Sequence, residues 1–401
     1  MKSFGKLSIK GSNHFEEKMT ELLNDISEDI ENSVSQELYK CVILIGGYGR
    51  GEGGVITKNG IEYPHNNFDF LIISKNLSKK NEKNLEKDIN KIITSYCNKI
   101  DLDFDLSILS EFKLNSCDPL VITYDIKYGH KLISGDSSFL KDLTQFDLEN
   151  IPDWDVRNLM VNRGTLLTIN DLILSKKYHT MKDIKTVIKH CIKAIIGYGD
   201  ALLYYNGKYH YSYVEKKARM KKQTNIDENF KKLYDDAMSF RFEPNYDLFL
   251  KKDIMKYQEE VKLILKEIHL QCESIALNNS NIKWQMYFET ALNSNLSNDT
   301  GIKNVLKNIR NLFMPTHFIK ELSLKQMIKA KLLGNRGLLP IFFPYIAFEM
   351  QDSKIKKILY CFFNIDTSNA ILLKQQYLKY WGKYINNNFS LDEYGLQKGI
   401  S

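Results

Sequence analysis

Proline, cysteine and long apolar runs are all scarce in this chain of 401 residues. Seven prolines accompany 21 glycines, while 43% of the residues are hydrophobic and 26% are charged. This composition excludes collagen-like, mucin-like and wholly disordered chains and is typical of a globular protein. The length predicts two or three domains, because one hydrophobic core rarely organises more than about 250 to 300 residues.

The six cysteines stand singly along the sequence, and no two of them form a CxxC pair. Such spacing indicates neither a zinc site nor a disulfide framework. We therefore expect all six to be small, buried, apolar side chains.

The longest apolar run, residues 337–350, is interrupted by Pro340 and Pro344. It is shorter than the roughly 20 residues that a membrane-spanning helix needs. The first residues become polar and acidic before any apolar segment begins, so no secretory signal is visible. These absences predict a cytoplasmic protein with no membrane partner.

Charge divides the sequence near residue 150. Residues 1–150 hold 18 Lys and Arg against 24 Asp and Glu, whereas residues 151–401 hold 38 against 25. We place a domain boundary there and a second one near 280, after which the chain is again strongly basic. The predicted division is a mixed α/β domain at 1–150, a helical bundle at 151–280 and a basic helical region at 281–401, with linkers at 277–282 and 293–300.

Periodicity predicts an α+β protein, in which a small mixed sheet precedes a mostly helical region. The first 150 residues alternate between helical and strand-like patterns. The predicted helices there are 14–34 and 81–100, and the predicted strands are 41–45, 68–73, 104–109, 121–125 and 130–133. Beyond residue 151 we predict helices at 153–175, 181–206, 211–222, 226–240 and 250–277.

A glycine-rich segment follows the first predicted strand directly. Residues 46–54 contain six glycines together with Arg50 and Glu52. Glycines let the backbone approach a ligand closely, and consecutive N–H groups in such a turn can hold an anion, to which Arg50 adds positive charge. A phosphate site is the functional interpretation, and a mobile surface loop or tight turn is the structural alternative, since glycine-rich runs are weak motifs.

Three polar side chains mark the next two strands. Asn67 and Asp69 lie two residues apart, on one face of the second strand, and Asp105 interrupts the apolar third strand. A carboxylate in an apolar strand is costly unless it is paired or binds a metal, although an acid facing solvent explains Asp105 equally well. Two carboxylates and an amide beside the glycine-rich segment would suit Mg²⁺, or Mn²⁺, which bridges phosphate oxygens in phosphoryl transfer.

The pattern resembles the nucleotidyltransferase superfamily, the fold shared by DNA polymerase beta, kanamycin nucleotidyltransferase and the MNT-type enzymes. That family has an apolar residue followed by Gly and by Gly or Ser, often with a later Arg-Gly-Glu. Gly46, Gly47, Arg50 and Glu52 match this part. The resemblance implies that they bind the nucleoside triphosphate (NTP).

The family then places Asp-apolar-Asp on one strand and another Asp on a later strand. Asp69 and Asp105 match the second and third acids, and Asn67 stands in place of the first. The resemblance implies that these three residues form the catalytic and metal-binding set. Because an amide is a neutral and weaker ligand than a carboxylate, Asn67 indicates either an impaired relative or a substitution introduced to trap a complex.

The resemblance covers residues 38–136, and more weakly 153–217, which is similar to the helical domain of the aminoglycoside-modifying branch. In that branch the helical domain can supply a basic carboxylate, for which Asp200 and Glu215 are the candidates, with solvated helix positions as the alternative. Phosphate or base contacts from Lys193 and from three tyrosines would fit the same branch, although aromatic clusters more often serve packing. These tyrosines are Tyr209, Tyr211 and Tyr213.

The function expected from this resemblance is Mg²⁺-dependent transfer of a nucleoside monophosphate from NTP to an acceptor hydroxyl. A small hydroxylated acceptor is favoured over tRNA or a protein side chain. The positive charge of residues 151–401 would suit RNA, but it is spread at ordinary density. The alternatives are a nucleotide-binding relative without activity and a toxin-type enzyme that modifies tRNA or protein, and a homodimer is compatible with either.

Overall fold

A four-stranded mixed sheet followed by a long series of helices gives this protein the α+β architecture predicted from its sequence. The structure is a computed structural model that describes residues 2–100, 102–294, 301–313, 321–365 and 369–396.

The strands, in chain order, are β1 (Tyr39–Ile45), β2 (Val55–Lys58), β3 (Ile61–Pro64), β4 (Phe68–Ser74), β5 (Phe104–Ser110) and β6 (Lys131–Gly135). The helices, in chain order, are α1 (Asn13–Ser33), α2 (Gly46–Gly49), α3 (Lys79–Cys97), α4 (Glu111–Ser116), α5 (Val121–Tyr128), α6 (Asp153–Leu174), α7 (Met181–Tyr205), α8 (Tyr213–Lys221), α9 (Glu228–Phe242), α10 (Asp247–Leu250), α11 (Ile254–Ala276), α12 (Trp284–Asn293), α13 (Gly301–Phe313), α14 (Leu324–Ala347), α15 (Ser353–Phe363) and α16 (Ala370–Tyr384).

The sheet has the strand order β5-β4-β1-β6. Strand β1 pairs antiparallel with both β4 and β6, whereas β4 and β5 run parallel. The parallel pair is possible because α3 forms the crossover between its two strands. Strands β2 and β3 form a separate hairpin around Asn59-Gly60, both of which have positive φ. The sequence analysis did not predict this hairpin, although Asn-Gly between short strands is its usual signal.

Successive side chains of β1 and β4 point to opposite faces of the sheet. Because most of them are apolar, both faces carry apolar side chains. Helices α1 and α3 bury their apolar sides against one face, with Leu23, Ile26 and Ile89 fully buried there. Helix α1 begins where the Ser12 side chain accepts a hydrogen bond from the Phe15 N–H, which is ordinary N-capping. Leu140 and Phe146 belong to the smaller cluster on the opposite face.

The segment predicted as a strand at 121–125 is a helix, α5, so that prediction was wrong. Its β-branched residues Val121, Ile122 and Thr123 resemble a strand locally. The helix forms because Thr123 caps it by accepting from the Leu120 N–H and because Val121 and Tyr124, which lie one turn apart, are both buried. The strand predicted at 130–133 is confirmed as β6.

The chain forms two compact units. The first comprises Met1–Pro152, His210–Thr224 and Asp235–Asn245, and the second comprises Asp153–Tyr209, Asn225–Tyr234 and Tyr246–Ser401. Two segments from beyond the predicted boundary near 150 therefore belong to the N-terminal unit. The three-part division at 150 and 280 stays a prediction.

The predicted linker at 277–282 falls between α11 and α12. Most of the linker predicted at 293–300 lies outside the described residues. None of the described helices combines the length and apolar character that crossing a membrane requires.

Candidate functional site

Asp69 and Asp105 lie side by side on neighbouring parallel strands. Residue 69 of β4 is in register with residue 105 of β5, so both side chains point to the same face of the sheet. The Asn67 amide nitrogen donates to an Asp105 carboxylate oxygen at 3.2 Å. All three residues that the sequence analysis assigned to metal binding therefore meet at one end of the two strands.

Gly46 completes this end of the sheet from β1. It follows Ile45, which is in register with Asp69, and it turns the chain with φ of +69°. A Cβ atom added to Gly46 would lie 2.2 Å from an Asp69 carboxylate oxygen. Only glycine allows this backbone to approach Asp69 so closely, since any side chain would be strained at that φ and would collide with the carboxylate.

A pocket of about 210 Å³ opens at this point. Its lining includes Gly46, Arg50, Asp69 and Asp105, which the sequence analysis had named. The pocket is smaller than the roughly 300 to 1,000 Å³ that whole drug-sized ligands occupy. Its size therefore suits a small ligand or one part of a larger ligand.

Arg50 is a buried cation at the inner side of this pocket. Its guanidinium lies 3.6 Å from an Asp125 carboxylate oxygen and 3.7 Å from a Glu52 carboxylate oxygen. The guanidinium carbon also lies 4.6 Å from the ring centroid of Tyr213, within the range of a cation–π contact. Arg50 thus joins the glycine-rich segment to α5 and to the chain that begins α8.

Glu52 caps a helix within the same unit. The buried carboxylate accepts hydrogen bonds from the Tyr213 N–H at 2.8 Å, from the Val214 N–H at 3.3 Å and from the Ser212 hydroxyl. A carboxylate at the N-terminus of α8 satisfies otherwise unpaired N–H groups and complements the helix dipole. The resemblance implied that Glu52 binds nucleotide, whereas the carboxylate contacts this helix and Arg50.

Tyr213 stands among three cations. Besides Arg50, the Arg241 guanidinium carbon lies 4.2 Å and the Lys216 ammonium 4.6 Å from its ring centroid. Arg241 also approaches Gly47, where a Cβ atom would lie 3.3 Å from its guanidinium nitrogen. Gly47 itself is buried and does not line the pocket.

The remaining glycines fold the segment over Tyr48. The Tyr48 hydroxyl donates to the Gly54 carbonyl at 2.6 Å, and a Cβ on Gly53 would lie 2.1 Å from the tyrosine ring. Burial raises the pKa of Tyr48 well above its usual value, so the phenol remains a neutral donor. The glycine-rich segment is therefore a tightly packed turn rather than a loop on the surface.

The other candidates from the sequence lie in different surroundings. Asp200 is buried in α7 and accepts from the Tyr234 hydroxyl at 3.4 Å, so it is not a solvated helix position. Glu215 is exposed in the first turn of α8 and pairs with Arg219 at 3.6 Å. Tyr209 is buried, and Lys193 is exposed in α7.

Tyr211 stacks on Tyr128, with ring centroids 6.0 Å apart, in the N-terminal unit. His65 donates its backbone N–H to the Gly54 carbonyl, and its ring lies edge-on to that of Phe240.

Sequence reasoning missed several residues of the pocket lining. Ser107 lies two residues after Asp105 and so on the same face of β5, a signal that was present in the sequence. Ile122, Asp125 and Ile126 come from α5, which was predicted as a strand and therefore gave no reason to look there.

The side chains at this site fit a magnesium ion that is held partly by the protein and partly by water and substrate oxygens. Among the described residues, no group of three or more His, Cys, Asp or Glu side chains could hold a metal ion by itself. Asp69 and Asp105 supply two carboxylates that line one pocket. Because Mg²⁺ is usually bound through one or two carboxylates together with water and substrate phosphates, two are sufficient.

Comparisons of the chain with protein-family models, with curated proteins and with solved structures found no match. The geometry of the site is thus the basis on which a function is proposed.

Proposed function

We propose that this protein is a nucleotidyltransferase, which moves a nucleoside monophosphate from an NTP to an acceptor hydroxyl and releases pyrophosphate. The observation that carries the proposal is the placement of Asp69 and Asp105 in register on adjacent parallel strands, at a pocket whose wall includes Gly46 and Arg50. Carboxylates, a close backbone approach and a cation are the groups that a bound NTP with Mg²⁺ requires.

Asp69 and Asp105 would hold Mg²⁺ or Mn²⁺. The ion would neutralise charge on the phosphates when bound. The protein's own groups act by position. Arg50 places positive charge at the pocket wall, and Gly46 leaves the space that the Asp69 carboxylate occupies, which keeps this carboxylate in the pocket. Catalysis of this kind depends on orientation and charge stabilisation, so it does not need a strong base.

The acceptor is proposed to be a small hydroxylated molecule, as the sequence similarity of residues 153–217 implies. A screen of sugars and aminoglycosides with labelled NTP tests this point, beside a tRNA mobility-shift assay at low and moderate salt. Tight tRNA binding that weakens steeply with salt, without turnover of any small acceptor, would indicate that the acceptor is RNA.

A second candidate function is nucleotide binding without turnover, and Asn67 is the observation that favours it. Asn67 donates to Asp105 and so occupies an oxygen that a metal would otherwise contact. The fold and the pocket do not depend on a charge at this position, because the side chain lies at the strand end.

Transfer of label from NTP, measured in the parent protein and in Asn67→Asp, distinguishes the two functions. If the parent is an enzyme, both proteins turn over NTP, and Asp69→Ala lowers the rate at least about a hundredfold, the usual loss for a group that stabilises transition-state charge. If the parent only binds nucleotide, turnover appears in Asn67→Asp alone.

Asp103→Ala is the matched control for these variants. Asp103 is an exposed acid two residues before Asp105 and is absent from the pocket lining. Its substitution should leave the rate unchanged. Equal rates in Asp69→Ala and Asp103→Ala, in a protein that does transfer label, would show that the transfer takes place elsewhere.

A further inference from the structure

Helix α13 exposes its apolar side rather than burying it. The apolar residues of this helix whose side chains the structure describes are between 39% and 84% exposed. They are Val305, Leu306, Ile309, Leu312 and Phe313, and we call them the α13 face. At 100° per residue these five positions span about a third of the helix circumference, so they form one continuous apolar strip.

The side of α13 that contacts the protein is polar. Asn308 and Asn311 are half-buried, whereas the α13 face is exposed. The Asn311 amide donates to the Leu332 carbonyl of α14 at 2.8 Å. A Cβ atom on Gly334 would lie 2.8 Å from the Asn311 amide nitrogen, so this contact is close. The helix therefore contacts α14 through Asn311 and leaves its apolar strip exposed.

The sequence of α13 and of the segment after it is strongly basic. The sequence of α13, GIKNVLKNIRNLF, holds three basic residues and no acidic one. Residues 301–336 together hold eight Lys and Arg against one Glu. The next helix begins with two further exposed apolar residues one turn apart, Leu324 at 71% and Ile328 at 49%, and Lys325 and Lys329 stand beside them in the sequence.

We propose that the α13 face docks on an anionic phospholipid surface, lying in the plane of the headgroups. An amphipathic helix with large apolar side chains on one side and basic residues around them inserts its apolar strip at the boundary between headgroups and acyl chains, and the basic residues attract acidic lipid. A protein partner would cover the apolar strip equally well, but the excess of positive charge complements an acidic lipid surface in particular. The inference departs from the sequence-based expectation of no membrane partner, and it does not depend on nucleotide transfer.

Vesicle flotation with the chain of 401 residues tests the proposal. Binding should be strong to vesicles of phosphatidylcholine mixed with phosphatidylserine and weak to phosphatidylcholine alone. It should fall as salt rises, because the lipid surface potential is screened. Removing one basic residue, as in Arg310→Gln, should weaken partition onto the acidic vesicles roughly fivefold.

Phe313→Ser removes the most exposed side chain of the strip and should weaken vesicle binding still further. Phe112→Ser is the matched control, since Phe112 is 69% exposed but lies in α4 of the N-terminal unit. Both side chains are largely solvent-exposed, so both variants should keep the thermal transition of the parent.

Three results would overturn the proposal. The first is equal binding of Phe313→Ser and Phe112→Ser to acidic vesicles, and the second is no binding of the parent to them. The third is a parent dimer, seen by sedimentation velocity, that Phe313→Ser dissociates while neither protein floats, because the strip would then be covered by a second copy of the chain.

Discussion

At the residue scale, the backbone of Gly46 and the carboxylate of Asp69 determine each other's position. Gly46 has a φ of +69°, and its missing Cβ leaves the space that an Asp69 oxygen occupies. Gly46→Ala should therefore add backbone strain of about 1 to 2 kcal/mol and also push the Asp69 carboxylate out of place. We expect NTP binding to be lost in this variant while most of the fold remains, as measured by calorimetric titration and circular dichroism.

Gly60→Ala provides the control for backbone strain. Gly60 has a φ of +79°, and no atom lies within 4 Å of a Cβ built on it. This variant carries the same kind of strain without a collision. If Gly46→Ala and Gly60→Ala bind NTP equally well, the approach of Gly46 to Asp69 has no bearing on the site.

At the scale of elements, Glu52 determines how α8 is held in the N-terminal unit. Glu52→Ala would leave two N–H groups of α8 and the Arg50 guanidinium without this carboxylate. Arg50 keeps Asp125 as a partner, so the loss is that of a helix cap and of buried hydrogen bonds, about 1 to 3 kcal/mol, and the melting temperature should fall clearly. Glu215→Ala, in the exposed first turn of the same helix, should change stability by less than about 1 kcal/mol.

The comparison also separates two roles for Glu52. A loss of NTP affinity in Glu52→Ala at an unchanged melting temperature would contradict the capping role and support the nucleotide contact that the family resemblance implied.

Helix α7 offers a pH test at the same scale. Asp183 closes a capping box by accepting from the Thr180 N–H at 2.9 Å, and it pairs with Lys176 at 2.9 Å. Burial opposes ionisation, but the hydrogen bonds from Lys176 and Thr180 outweigh it and lower the pKa of Asp183 to about 2. Because the folded-state pKa is lowered, the stabilisation is complete above the unfolded pKa and disappears as the pH falls through the folded one.

Asp183→Asn should therefore lower stability by about 1 to 2 kcal/mol near neutral pH. The difference from the parent should shrink between about pH 4 and about pH 2, as followed by scanning calorimetry. Glu228→Gln, at the start of α9 with a side chain that is 85% exposed, is the control and should show almost no difference at any pH. A destabilisation by Asp183→Asn that is constant with pH would rule out the charge as its cause.

At the scale of the whole molecule, the N-terminal unit is discontinuous in sequence. It includes His210–Thr224 and Asp235–Asn245, which supply the α8 N-terminus to Glu52 and the side chains of Tyr213 and Arg241. A fragment of residues 1–152 should therefore lack a cooperative thermal transition or precipitate, although it contains the entire sheet. A fragment that melts cooperatively at the temperature of the N-terminal unit in the full chain would contradict this account.

Most of the secondary structure and part of the candidate site could be predicted from the sequence. Strands β1, β4 and β5 were predicted from short apolar runs, and Asp69 and Asp105 were named as candidates from their positions on those strands. Helix α5 was missed because Val-Ile-Thr favours a strand locally, and only the cap at Leu120 and the burial of Val121 and Tyr124 favour the helix instead.

The partners of Arg50 and Glu52 could not be predicted in the same way. Tyr213, Lys216 and Arg241 lie more than 150 residues away in the sequence, and no local pattern indicates which side chain a buried carboxylate will meet. Helix α13 is a different case. Apolar residues at helical spacing usually mark a buried side of a helix, whereas the apolar strip of α13 is exposed.

The central claim is that Asp69 and Asp105 form a site for NTP with Mg²⁺, and titration calorimetry with a non-hydrolysable NTP tests it whether or not the protein turns over. We predict Mg²⁺-dependent binding to the parent, its loss in Asp69→Ala, and unchanged affinity in Asp103→Ala. The absence of NTP binding to the folded parent, or equal affinities in Asp69→Ala and Asp103→Ala, would contradict the claim.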